Sequence, residues 1–167
     1  MSADPLTAAV PAADLVRELV LREQTVATAE SLTAGLLSAA IAGVPGASAA
    51  LRGGLIVYAT ELKHTLAGVD ADLLRTDGPV AARTAEQLAV GARTRCDATW
   101  GCGLTGVAGP DSQDGHPVGT VFLGVSSPWH SEVIRLQLQG DRWTIRIAAT
   151  DIAVRELLRC VRADRTR

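Results

Sequence analysis

Aromatic residues are scarce in this chain, which has three tryptophans, one tyrosine and one phenylalanine among 167 residues. That scarcity argues against a platform on which nucleic-acid bases stack, because such surfaces need several exposed rings. A surplus of one charge sign is missing too. Sixteen Lys and Arg against eighteen Asp and Glu give a formal net charge of -2, and the arginines are scattered among acids. A phosphate backbone would therefore meet no basic stripe, and no nucleic-acid partner is expected. The three cysteines, Cys96, Cys102 and Cys160, have neither CxxC spacing nor a histidine at metal-site spacing. This sets aside a metal site and a disulfide framework. No stretch approaches the roughly 20 apolar residues of a membrane span, and the N-terminus lacks a basic region followed by an apolar run and a cleavage site. The expectation is a cytoplasmic protein with no membrane role.

What is present suits one soluble globular domain, with 47% hydrophobic and 20% charged residues and a length that buries a proper core. Residues 1–12 are small, polar and Pro-containing and read as a flexible tail. The domain is expected over 13–162, with a short tail at 163–167. Leu15, Val16, Leu19 and Val20 recur at helical spacing over Ala13 to Arg22. "TVAT" reads as a short buried strand, and "LTAGLLSAAIAGVPG" as a helix running directly from it. "GGLIVYAT" is a second strand. "ELKHTLAGVDADLLRTDGP" holds two short helices, the first capped by Thr60. "VAARTAEQLAVGARTRC" is a longer helix with Leu88 and Val90 facing inward.

"ATWGCGLTG" is a third strand, so rich in glycine that something must pack closely on its backbone. "TVFLGVSS" and "EVIRLQLQ" flank "PWHS" as an antiparallel hairpin. "DRWTIRIAATDIAVRELLRCV" is a long helix burying Ile145, Ala149, Ile152 and Val154. Strands alternating with helices predict an α/β fold: a mixed, mostly parallel sheet of about five strands, covered on both faces and ending in the hairpin.

Ligands of such sheets bind beyond the carboxyl ends of the strands. Glu30 and Ser31 follow the first strand, Tyr58, Thr60 and Lys63 the second, and Thr105 with the loop "GVAGPD" the third. Ser31 at a helix start is either a cap or a nucleophile whose neighbouring unpaired N–H groups hold an oxyanion. A nucleophilic serine needs a base. His64, His116 and His130 are poorly placed, whereas Lys63 lies one turn beyond the second strand. A lysine acts as a base only when neutral, which burial can achieve. Tyr58 could relay a proton or orient the lysine, or simply pack on the core. Thr105 could hydrogen-bond the reacting group, or serve β-propensity alone.

The glycine-rich loop could form an anion nest through the backbone of Gly106, Ala108 and Gly109. Arg142, a cation in the first turn of a helix, suggests an anionic partner. Arg146 would contribute to the same site or pair with Asp141 or Asp151. Glu30 suits a hydrogen-bond anchor for a loop, and Thr33 a backbone donor to the oxyanion.

Four ordered blocks, "TAESLTAGLLSAAIAGVPGAS", "GGLIVYATELKHTLAGV", "GLTGVAGPDSQDGHPVGTV" and "GDRWTIRIAATDIAV", resemble the successive signatures of the CinA C-terminal domain family. The resemblance runs from about Thr25 to Val154. It implies a three-layer α/β/α sandwich on a mixed sheet, often a homodimer. It also implies hydrolysis of the carboxamide of nicotinamide mononucleotide, giving nicotinic acid mononucleotide and ammonia, with no metal and no cofactor. In family terms Ser31 is the nucleophile and Lys63 its base, and Tyr58, Thr105 and Arg142 complete the site. Ala81 stands where the family commonly has a serine, read here as a lost helix cap, and His116 replaces a usual lysine. Long members carry a further N-terminal domain, and this chain resembles the stand-alone form. The rival expectation is a catalytically idle nucleotide-sensing or protein-binding adaptor linked to competence or DNA repair.

Overall fold

A computed structural model describes residues 4–164. Five strands form one sheet in the order β2-β1-β3-β4-β5. β1 (Val26–Glu30) is second from one edge, paired in parallel with β2 (Leu51–Ile56) on one side and β3 (Trp100–Gly106) on the other. β4 (Thr120–Ser127) and β5 (His130–Gln137) complete the sheet as an antiparallel hairpin. Strand order reverses at β1, so a crevice opens outside its carboxyl end.

Helices cover both faces. On one, α2 (Ala13–Leu21), α3 (Leu36–Ala42) and α7 (Arg142–Ala163) bury Leu15, Leu37, Ile41, Ile145 and Leu157 against Val26, Cys102 and Leu104. On the other, α4 (Thr60–Thr65), α5 (Ala71–Thr76) and α6 (Ala82–Arg95) cover the sheet, and Leu73, Leu88 and Ala92 close over Ala27 and Ala29. The two clusters take alternate residues of β1, as the pleat of a strand buried on both sides requires. The glycines of β3 have a direct cause. A Cβ at Gly103 would stand 2.6 Å from the backbone nitrogen of Ala89 and collide with the Ala85 carbonyl, so α6 lies on bare backbone.

Four expectations are corrected. The segment before Ala13 is not a plain tail: Pro5–Ala9 form a short helix, α1, whose first turn Asp4 caps through Leu6 N at 2.9 Å, and Val10 and Ala12 are buried. Residues 1–3 and 165–167 of the two expected tails lie outside the described residues, while Ala163 ends α7 and Asp164 caps it. Thr60 does not cap α4; Ala59 occupies that position and Thr60 is the first helical residue. Val90 faces outward at 37% exposure, because Leu88, Ala89, Gly91 and Ala92 fill the buried arc of α6. Among the described residues no helix is long and apolar enough to cross a membrane.

Candidate active site

The join that follows β1 differs from a strand running straight into a helix. Ser31 N still donates to Leu104 O at 2.9 Å, extending the pairing with β3. The chain then turns through Ala34 and Gly35, both in the left-handed region with φ of 48° and 99°, and α3 begins only at Leu36. Ser31 is therefore not the helix cap. That work falls to Glu30, buried at the end of β1. Its carboxylate accepts hydrogen bonds from the N–H groups of Gly35 (3.0 Å), Leu37 (3.0 Å) and Ser38 (2.8 Å), and from the hydroxyls of Ser38 (2.8 Å) and Thr28 (3.1 Å). A buried charge of this kind is tolerable because every lone pair meets a donor.

With the Glu30 carboxylate satisfying the start of α3, the Ser31 hydroxyl is left to another partner. Lys63 Nζ lies 3.1 Å from Ser31 Oγ and 3.0 Å from the Val57 carbonyl, and the lysine is 2% exposed. No carboxylate lies within ion-pair distance of it among the described residues. Burial lowers its pKa from 10.5 to about 8, against an opposing pull from Glu61. That shift corresponds to ~3 kcal/mol of penalty on the charged form. A neutral amine has two N–H bonds and one lone pair. One N–H can donate to Val57 O, and the lone pair is then free to accept the proton of Ser31.

Both side chains face a cavity of about 170 Å³ that also includes Tyr58, Thr105, Gly109 and Arg142 in its wall. Thr105 donates its hydroxyl hydrogen to the Pro79 carbonyl at 2.6 Å, leaving lone pairs rather than a proton for whatever binds. Tyr58 does not hold Lys63. Its phenol accepts a hydrogen bond from Arg142 Nη2 at 2.6 Å, and Arg142 Nη1 donates to Gly109 O at 2.6 Å. Arg142 thus ties the loop after β2 to the loop after β3 and forms no ion pair among the described residues. Gly106 and Ala108 also line the cavity. Within the described residues the N–H groups of Ala108 and Gly109 have no acceptor, nor do those of Leu32 and Thr33 beside Ser31.

Three expected site residues stand behind the wall rather than in it. Glu30 anchors the turn. Thr33 is buried, with a hydroxyl that finds no partner among the described residues, and its carbonyl accepts from Arg146 Nη2 at 3.2 Å. Arg146 also donates to Leu32 O at 2.9 Å, so it braces the loop after Ser31 and pairs with neither Asp141 nor Asp151; the latter is held by Arg155 at 2.8 Å. The wall also includes residues that residue order did not single out, among them Leu32, Pro79, Val80, Asp111 and Gln113. Asp111 and Gln113 belong to the polar loop after β3, whose composition was the available signal.

The fold and cleft together define an α/β sandwich domain whose pocket, at the carboxyl ends of three parallel strands, contains a buried lysine on a serine hydroxyl. The chain belongs to the CinA C-terminal domain family, matched over residues 9–161. It is 47% identical over 143 residues to a CinA-like protein of Frankia casuarinae, covering 83% of this chain and 33% of that protein. A putative competence-damage inducible protein of a Geobacillus strain is 47% identical over 133 residues, 79% of this chain and 32% of that one. The chain spans about a third of the length of these curated relatives. Among solved structures, the competence/damage inducible protein CihA from Agrobacterium tumefaciens superimposes with a TM-score of 0.88 at 30% identity, covering 97% of this chain and 99% of that one.

Proposed function

We propose that this domain is an amidohydrolase acting on the carboxamide of nicotinamide mononucleotide, releasing nicotinic acid mononucleotide and ammonia through a Ser31–Lys63 dyad. The observation that carries the reading is the 3.1 Å approach of a buried, charge-suppressed Lys63 to Ser31 Oγ. Neutral Lys63 takes the hydroxyl proton as Ser31 Oγ attacks the amide carbon. The N–H groups of Leu32 and Thr33 stabilise the oxygen that becomes negative. Lys63, now an ammonium, returns its proton to the departing nitrogen, and ammonia leaves. Water then attacks the acyl-enzyme ester. Lys63 accepts a proton from it and returns that proton to Ser31 Oγ, freeing the carboxylic acid, which loses its remaining proton to solvent. Arg142 and the N–H groups of Ala108 and Gly109 offer donors to the substrate's phosphate. No step calls on a metal or cofactor.

The test is ammonia release from nicotinamide mononucleotide by the purified protein and its Ser31→Ala and Lys63→Ala variants. Release by the parent that is lost in both variants is expected. A parent that releases none would favour the adaptor reading, in which the cleft only binds. Release that survives Ser31→Ala would leave the activity standing and remove the dyad.

A further inference from the structure

At the opposite end of β3 from the catalytic cleft, three side chains converge that the reaction does not use. His130 opens β5, and Glu132, two residues on, projects from the same face of that strand. Cys160, 3% exposed in the last turns of α7, meets them. Nε2 of His130 lies 3.3 Å from Oε2 of Glu132, and Sγ of Cys160 lies 3.6 Å from that nitrogen and 3.9 Å from that oxygen.

These separations have a specific chemical meaning. A tetrahedral zinc ion with bonds of about 2.0–2.1 Å to nitrogen and oxygen and about 2.3 Å to sulfur sets its ligand atoms about 3.3 Å apart for the N,O pair and about 3.5 Å for either pair with sulfur. Two edges of the observed triangle match, and the third closes by a few tenths of an ångström. Calcium and magnesium take oxygen donors, whereas a mixed N,O,S set suits zinc and its late transition-metal neighbours. Thiolate and carboxylate together balance a dication, with the thiol proton passing to solvent. Arg159 Nη2 holds both carboxylate oxygens of Glu132, at 2.7 and 2.6 Å, fixing the ligand from outside as partners of metal-bound carboxylates do. A cavity of about 250 Å³ between Trp100, Trp129, Arg159 and Ala163 adjoins His130 and Cys160, leaving room for a fourth ligand.

We propose that His130, Glu132 and Cys160 form a binding site for one zinc-class divalent ion that clamps the β4–β5 hairpin to α7 and keeps one coordination position open to the adjoining cavity. The site is independent of the dyad, because Trp100 and Thr105 at the two ends of β3 stand ~17 Å apart along the strand.

The experiment is a titration of the chelator-stripped full chain with Co²⁺, read by absorption. One equivalent is expected to give the intense visible bands of a tetrahedral ion and a thiolate-to-cobalt charge-transfer band, both removed by one equivalent of Zn²⁺. Cys96→Ser and Ser31→Ala should behave like the parent. Cys160→Ser should lose the charge-transfer band, and His130→Gln should weaken binding by ~100-fold or more, at or beyond the range seen for outer-shell changes. No spectrum at saturating cobalt, a charge-transfer band that survives Cys160→Ser, or one lost in Cys96→Ser would each overturn the site. If Cys160→Ser fails to fold, the parent's melting temperature decides: it should climb with zinc concentration and do so far less in His130→Gln, and a parent indifferent to zinc would end the proposal.

Discussion

Arg142 and Tyr58, 84 residues apart in sequence, are joined by a 2.6 Å hydrogen bond across the mouth of the cavity. The guanidinium sits at the first turn of α7 and reaches both neighbouring loops. Tyr58→Phe removes the acceptor and leaves the ring. On the amidase reading, kcat/KM should fall by ~10-fold, the usual worth of a hydrogen bond to a charged group, with most of the loss in KM. Steady-state kinetics checks this, and a loss confined to kcat would instead place the phenol in the proton path.

The pH profile of kcat/KM should rise with pH and level off, with its midpoint near the Lys63 pKa of about 8. The base form is the neutral amine, so activity is lost on the acid side. A profile flat from pH 6 to about 10 would remove Lys63 as the base.

Stability carries the same signature with a definite sign. The Lys63 pKa is about 8 folded and 10.5 in the free chain, so between those values the unfolded state binds more protons and stability rises with pH. The penalty is fully present below about 8 and relieved towards 10.5. Lys63→Met should therefore be more stable than the parent at pH 7, by up to ~3 kcal/mol less the lost hydrogen bonds. Urea denaturation should show that advantage shrinking as pH climbs towards 10.

Glu30→Gln should destabilise by ~3 kcal/mol, because the amide turns its own donors on groups that are already donors. Since the same carboxylate sets the turn after Ser31, activity should fall with it. A Gln variant as stable and active as the parent would mean that the charge of Glu30 is dispensable.

Ala81 occupies the N-cap of α6 without a side-chain hydrogen bond. Ala81→Ser should raise stability by ~1 kcal/mol, the ordinary worth of such a cap, and leave kinetics unchanged. Thermal melts of the two proteins measure it.

Much of this site is readable from residue order alone, because strands that alternate with helices bring their carboxyl ends together and Ser31, Lys63 and Thr105 each follow such an end. What escapes is set by distances the chain covers only when folded. The partner of Tyr58 lies on α7, and Arg146 braces two loop carbonyls rather than an acid nearby in sequence. Glu30 takes over the capping that Ser31 was free to do, a choice decided by two positive-φ residues between strand and helix. The His130, Glu132 and Cys160 cluster is invisible to spacing rules, since its third member comes from 28 residues further on and from a helix rather than the strand.

The bare face of β3 limits how this protein can vary. Gly103 and Gly124 let the α6 backbone around Ala85 settle onto the sheet. The Pro79 carbonyl that receives Thr105 lies just ahead of that helix. A methyl group added at Gly103, in the core behind the pocket rather than in its wall, would lift α6 and with it one wall of the pocket. On the amidase reading, a substitution that looks conservative at Gly103 would therefore act as a change in catalysis, and mutational drift in this core would be restrained by the shape of the pocket at its rim.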